Sequence, residues 1–147
     1  MDQNEEITKA QNSIDRVLET NGKFLVNARN NVPQGLPTKL EFECNSIVVN
    51  IFGYKACSEP RVVQFKNNFY MEYRFLVRFE GEDHEVTRFY LEWNGTIYKW
   101  LDPKSKMCDY DNNKISHKIC SQVAIGLLES PVFSVAKRPT DKGDANG

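Results

Sequence analysis

Apolar residues near the start of the chain recur at helical spacing. They lie three or four positions apart, which places them on one face of a helix, and they are Ile7, Ala10, Ile14, Val17 and Leu18. Asn21-Gly22 follows as a typical stop signal. The pattern therefore predicts an amphipathic helix over residues 4–20 whose apolar face packs against the rest of the molecule.

A second helical stripe lies near the other end of the chain. Its apolar members are Ile115, Ile119, Val123, Leu127 and Leu128. Asp111-Asn112-Asn113 precede this stripe as capping residues, and Ser130-Pro131 end it. The short, largely apolar stretch of residues 132–136 predicts a final strand at a sheet edge.

Between the two stripes the period of the pattern changes to two, as expected for strands buried on one face. Residues 39–44 and 47–52 predict a hairpin with Asn45-Ser46 as its turn, and a loop follows over residues 53–60. Further strands, which together form a four-stranded meander, are predicted over residues 61–66, 69–80, 84–93 and 96–101.

Turn lengths decide which side chains share a face, because a slip of one residue moves every side chain across the sheet. We expect three-residue turns at residues 66–68 and 81–83 and a two-residue turn at Asn94-Gly95. The resulting cross-strand pairs are Phe65 with Phe69, Val63 with Met71, Phe75 with Phe89, Tyr73 with Leu91, Leu91 with Tyr98, and Phe89 with Trp100.

One large aromatic face results from these registers, and it requires cover by both helices. Its members are Phe69, Met71, Tyr73, Phe75, Val77, Phe79, Phe89, Leu91, Trp93, Tyr98 and Trp100. We expect an α+β fold in which an antiparallel sheet of about six or seven strands, a hairpin plus the meander, carries an N-terminal and a C-terminal helix on one face. Residues 1–136 would form a single domain, and the polar residues 137–147 a disordered tail.

The charge balance excludes binding that is driven by a global field. Nineteen basic and twenty acidic residues leave a net charge of −1, so the overall charge draws the chain neither to nucleic acid nor to an anionic membrane. Residues 1–6 lack the basic start and apolar run of an export signal, and no apolar run is long enough to span a bilayer. We therefore expect a cytoplasmic protein whose four cysteines are free thiols.

The face opposite the aromatic one is the best candidate for a functional surface. The expected registers bring together on it Glu72, Arg74, Leu76, Arg88, Tyr90, Glu92 and Lys99. Tyrosine, arginine and aliphatic side chains on a flat, rigid sheet are typical of protein interfaces. A solvated face with weak cross-strand ion pairs is the competing interpretation. Single-stranded nucleic acid is disfavoured by the acidic residues and the net charge.

Candidate chemistry is sparse. Cys108, His117 and Cys120 have a spacing that zinc sites rarely use, and Cys120 lies beside the apolar stripe of the second helix. The polar triplet at residues 83–85 borders an exposed turn, where such residues are common. The sequence contains no glycine-rich phosphate loop, nucleophile elbow or metalloprotease helix. We expect no catalytic residue, metal or cofactor.

These observations favour a protein-binding module of the inhibitor, immunity or adaptor type, which binds another protein stoichiometrically through the exposed sheet face. Tyr90 and Leu76 would then be apolar anchors, and Arg74, Arg88 and Lys99 would pair with acidic residues of the partner. The alternative is a small-ligand-binding domain or an enzyme with a pocket between the aromatic face and the helices.

Overall fold

A computed structural model describes residues 2–35 and 38–133 of the chain. Its elements are α1 (Gln3–Asn30), β1 (Lys39–Glu43), β2 (Ser46–Ile51), β3 (Tyr54–Phe65), β4 (Asn68–Phe79), β5 (Glu82–Glu92), β6 (Thr96–Tyr98), β7 (Lys106–Asp109) and α2 (Ile115–Leu128), with short 3-10 helices at Pro103–Ser105 and Pro131–Phe133. The strands form one seven-stranded sheet in sequence order, and every neighbouring pair is antiparallel. Both helices contribute to one core with the sheet, which confirms the predicted α+β class.

Helix α1 is longer than predicted, because Asn21-Gly22 does not end it. The residues that this helix buries lie mostly in its second half and include Val17, Phe24 and Ala28. Gly22 lies on the exposed face of the helix. Its unfavourable helix propensity of about 1 kcal/mol is outweighed because the residues around it are buried against the sheet. By contrast Ile7, the first member of the predicted stripe, is 67% exposed.

Two hairpin turns move the strand boundaries away from their predicted positions. Phe52-Gly53 and Lys66-Asn67 have positive φ at both residues, as type I′ turns require. The first turn starts β3 at Tyr54, so most of the predicted loop over residues 53–60 is strand. The second turn pairs Met71 with Val62, so the predicted pairing with Val63 is wrong by one residue.

The pairing of β4 with β5 keeps the predicted face but not the predicted partners. Glu80-Gly81 forms another two-residue turn with positive φ, and Phe89 lies opposite Tyr73, whereas the predicted partner of Phe89 was Phe75. A β-bulge follows at Phe75 and Leu76, where the register shifts by one residue. Tyr73 thus lies opposite Phe89 and not opposite the predicted Leu91, a shift of two residues. Because side chains alternate between the faces of a strand, a shift of two leaves Tyr73 and Phe89 on the same side of the sheet.

The pairing of β6 shows that the predicted aromatic face is wrong at its last two members, Tyr98 and Trp100. The loop over residues 93–95 has three residues and not two, with Gly95 at a φ of 94°, and it sets Ile97 opposite Leu91. Ile97 is therefore buried in the core, while Tyr98 and Trp100 do not join it. Strand β6 ends at Tyr98, and the unpredicted strand β7 pairs with it.

The inner face of the sheet is confirmed as the core. Met71, Tyr73, Phe75 and Val77 are all buried. Phe24 of α1 packs edge-on against Tyr73, with ring centroids 5.5 Å apart, and Tyr73 stacks on Phe89 at 4.9 Å. These rings fill the space in which the alternative hypothesis placed a ligand pocket, so the packing gives that hypothesis no support.

Helix α2 has the predicted bounds but not the predicted cap. Its N-cap residue is Lys114, which makes no side-chain capping hydrogen bond. Asn112 forms a turn just before it, in which its Oδ1 accepts from the Lys114 backbone N–H at 2.8 Å. The predicted strand over residues 132–136 is wrong where it can be compared, because Val132 lies in a 3-10 helix. Residues 134–136 and the predicted tail lie outside the described residues.

Candidate functional site

The sheet face that points away from the helices carries a carboxylate at its centre. Glu72 of β4 lies between Arg61 of β3 and Tyr90 of β5 in the register, and its side chain is only 5% exposed. The Nε of Arg61 lies 2.8 Å from its Oε1, and the Nη1 of Arg88 lies 3.5 Å from its Oε2. A buried carboxylate needs such partners to remain charged. Glu72 therefore holds arginines of two different strands.

Three arginines and three glutamates form a connected network on this outer face, which we call the ion-pair cluster. Its members are Glu59, Arg61, Glu72, Arg74, Glu85 and Arg88. Arg88 binds Glu85 with two nitrogens, its Nε lying 2.7 Å from Oε2. This pairing raises the pKa of Arg88. The cluster carries no net charge, so it orients its arginines without creating a strong local field.

Arg74 is the central arginine of the cluster. It contacts Glu59 at 3.1 Å and Glu85 at 3.8 Å. Its Nε is buried and has no hydrogen-bond partner among the described residues, because the nearest carboxylate oxygen of Glu72 is 3.8 Å away. The guanidinium is therefore held mainly through its terminal nitrogens.

Tyr90 lies beneath Trp100 on the same face. Its side chain points away from the helices but is only 2% exposed, and its ring meets that of Trp100 edge-on with centroids 6.0 Å apart. Arg88 donates to the Tyr90 hydroxyl at 3.1 Å. Burial raises the pKa of Tyr90, and the hydrogen bond from Arg88 acts in the opposite direction. Tyr90 thus supports Trp100 from below.

Trp100 is the large apolar side chain that this face presents to solvent. It is 57% exposed, and the guanidinium carbon of Arg88 lies 5.8 Å from its ring centroid, within the range of a cation–π contact. An exposed tryptophan that packs on an arginine and a buried tyrosine combines the residue types that dominate binding energy at protein interfaces.

The loop that carries Trp100 is held by Ser105. The Oγ of Ser105 accepts from the Trp100 backbone N–H at 3.1 Å and lies 2.7 Å from the carbonyl oxygens of Trp100 and Asp102. The Lys99 N–H donates to the Ser105 carbonyl at 3.0 Å. These bonds close the loop on itself, so Trp100 is presented from an ordered backbone.

The structure brings together some of the predicted site residues but not all. Glu72, Arg74, Arg88 and Tyr90 form one network, as the contacts above show. Leu76 lies half-buried on the same face, opposite Cys57. Glu92 is further along the sheet, where it accepts from the Tyr98 hydroxyl at 2.9 Å. Lys99 lies apart from them, in a groove beside α2.

Two of these residues are less accessible than the sequence analysis expected. The sequence pattern predicts that Tyr90 and Glu72 are solvent-exposed, but the structure buries both. Sequence reasoning also missed Trp100 and Arg61, because the wrong turn lengths put Trp100 on the inner face and misaligned β3. The available signal was Ile97, a purely aliphatic β-branched residue that fits the core better than Tyr98 and Trp100, which each carry a polar group.

The candidate metal and acid–base residues do not converge. Cys108 and Cys120 are buried in the core, whereas His117 is exposed. Burial raises the pKa of Cys120 to about 11, which makes this thiol unreactive at neutral pH. Within residues 2–35 and 38–133, no group of three or more histidine, cysteine or acidic side chains could hold a metal ion. In the polar triplet, Asp83 pairs with Arg78 and Glu85 with Arg88.

Comparison with protein-family models, with curated proteins and with solved structures gives no match for this chain. Across the described ranges, neither helix is long and apolar enough to cross a membrane. The functional interpretation therefore depends on the geometry of the outer face.

Proposed function

We propose that this chain is a protein-binding module that binds its partner through the outer face of the sheet, with Trp100 as the central anchor. The single observation that carries the proposal is the exposed indole ring, held against Arg88 and Tyr90 on a closed loop. The proposed activity is stoichiometric occlusion of the partner, as in inhibitor, immunity or adaptor proteins.

The surroundings of Trp100 support this proposal. Binding hot spots are typically aromatic or arginine side chains at the centre of a patch whose rim is polar. Here the ion-pair cluster lies beside the indole, and Arg61 at its edge is 61% exposed. The arginines are already oriented by glutamates of the same face, so little side-chain entropy remains to be lost when a partner binds.

The chemistry of the face also indicates what the partner presents. The exposed indole requires an apolar pocket on the partner surface. The ion-pair cluster is neutral, so strong charge steering is absent, and the surrounding contacts are hydrogen bonds and short-range ion pairs with Arg61 and Glu59. A partner with an apolar pocket and a mixed polar rim fits this surface.

A cytoplasmic site of action is part of the proposal. Its support is that all four cysteines are free thiols. Cys44 is exposed, and exposed thiols persist in reducing compartments.

The experiment that tests the proposal compares two exposed tryptophans. Purified wild-type chain, Trp100→Ala and Trp93→Ala are immobilised, exposed to a lysate of the source cells, and the captured proteins are quantified by mass spectrometry. Trp93 is a matched control, because it is 48% exposed and packs on Arg16, outside the ion-pair cluster. We expect a specific protein to be captured by wild type and by Trp93→Ala and lost with Trp100→Ala.

The affinity is then measured by calorimetry with the purified partner. Trp100→Ala should weaken binding by about 30-fold or more, the effect of a hot-spot residue, and Ser105→Ala should weaken it less by loosening the loop. Unchanged melting temperatures establish that the variants are folded. Equal capture by Trp100→Ala and Trp93→Ala would rule out the outer face as the binding surface.

A further inference from the structure

A basic groove separates β7 from α2, and Trp100 is not among the described residues that line it. The groove has a volume of about 600 Å³ and contains four lysines and one histidine. Lys99 and Lys106 lie on the sheet side, and Lys114, His117 and Lys118 lie on the helix side. None of the described residues that line it is acidic.

The helix side of the groove is a single stripe of α2. His117 and Lys118 lie three and four residues after Lys114, and Ser121 lies four residues after His117, which places all four on one face. The buried residues Ile115, Ile119 and Val123 lie on another face of the same helix. The cationic stripe therefore faces the edge strand β7, because the core fixes the rotation of the helix.

The positive charge of the groove is only partly neutralised. Five lysines and three aspartates fall within residues 99–122, in a chain whose net charge is −1. Lys106 pairs with Asp109 at 3.5 Å, and both side chains are about half exposed, so the pair is weak. Among the ion pairs of the described residues, Lys99, Lys114 and Lys118 have no acidic partner.

These charges also oppose the usual electrostatics of a helix start. The N-terminal end of a helix favours acidic side chains, and cations there are unfavourable. Helix α1 follows this rule with Asp2, Glu5 and Glu6. Helix α2 has no acidic residue in its first turn, and its N-cap residue is Lys114. An anion bound in the groove would relieve the repulsion between the lysines and the helix dipole.

We propose that this groove binds a small ligand that carries two or more phosphate groups. Four ammonium groups, from the loop after β6, from β7 and from the start of α2, exceed what a single phosphate requires, and the volume lies within the range of small-molecule sites. No phenylalanine, tyrosine or tryptophan is among the described residues that line the groove, and its one aromatic ring is the small imidazole of His117, so a nucleobase finds no large ring to stack on. The lysines of the groove would therefore recognise the phosphate groups of the ligand and not a base.

Calorimetry of the full chain with inorganic tripolyphosphate tests this proposal. We expect saturable binding that weakens as salt rises, and a loss of about tenfold or more in affinity for Lys114→Gln/Lys118→Gln. The matched control is Lys39→Gln/Lys55→Gln, which removes the same charge from exposed lysines of β1 and β3 that lie on either side of Asn50 of β2. This control should bind as wild type does. Melting temperatures confirm that both variants fold.

Three results would overturn the proposal. They are the absence of tripolyphosphate binding, equal affinity in both double variants, and binding of single-stranded oligouridylate through the groove lysines when tripolyphosphate does not bind. The last result would assign the groove to nucleic acid. Because Trp100 lies outside the groove, Trp100→Ala should bind tripolyphosphate as wild type does, which separates this test from that of the proposed function.

Discussion

The hydroxyl of Tyr73 on β4 donates a hydrogen bond of 2.5 Å to the Oδ1 of Asn21 on α1. Both side chains are buried, and burial raises the pKa of Tyr73. The bond joins the helix to the centre of the sheet. Its helical partner, Asn21, belongs to the Asn21-Gly22 pair that the sequence pattern predicts as the end of the helix. The side chain of Asn21 therefore makes a tertiary contact inside α1 and does not end the helix.

Removing one partner of this bond should destabilise the fold. We expect Tyr73→Phe to lower the free energy of unfolding by about 1–3 kcal/mol, because the buried oxygen of Asn21 loses its donor. Asn21→Leu should cost a similar amount. Urea unfolding of both single variants and the double variant gives the coupling energy, and a coupling near zero would show that the bond does not contribute to stability.

Two helical glycines should respond in opposite directions to alanine. The Cβ of Gly22→Ala would meet no atom within 4 Å, so this variant should raise the free energy of unfolding by about 0.5–1 kcal/mol. The Cβ of Gly126→Ala would overlap the carbonyl oxygen of Val86 at the β-bulge. This variant should lower the free energy by about 1–3 kcal/mol, because backbone must move. Thermal unfolding of both proteins measures the difference, and effects of the same sign would contradict the packing of α2 on β5.

Glu72 should contribute more to stability than the other carboxylates of the ion-pair cluster. Glu72→Gln leaves Arg61 and Arg88 without their shared buried partner and should lower the free energy of unfolding by about 1–3 kcal/mol. Glu59→Gln is the control, since the Glu59 side chain is 57% exposed and, among the described residues, forms an ion pair with Arg74 alone, and it should cost less than about 1 kcal/mol. Urea unfolding at neutral pH compares the two, and equal losses would show that burial does not strengthen the Glu72 pairs.

Alkaline pH should destabilise the fold in part through Cys120. Its pKa is raised from 9.0 to about 11 by burial, so the folded state keeps a proton that the unfolded state releases. Stability is therefore fully present below pH 9 and falls as pH rises towards 11, by roughly 1–3 kcal/mol from this group. Unfolding under reducing conditions across this range should show a shallower fall for Cys120→Ala than for wild type and Cys44→Ala. Parallel curves for all three proteins would exclude the contribution of Cys120.

Local patterns predicted the inner face of the sheet and the second helix. The odd-numbered residues of β4 from Met71 to Val77 are buried, because alternation along a strand is set by the backbone of that strand alone. Helix α2 has its predicted length because its apolar stripe ends at a proline and a serine. The candidate face followed from the same alternation, which explains why Glu72, Arg74 and Arg88 lie together.

Only the tertiary structure decided the length of α1, the turn lengths and the side on which Trp100 lies. Asn21 remains helical because Tyr73, 52 residues away in sequence, donates a hydrogen bond to its buried side chain. Each hairpin turn could have two or three residues, and the choice depends on how both flanking strands pack. That one-residue difference moved Trp100 from the expected core to the outer face, since side chains alternate between the faces.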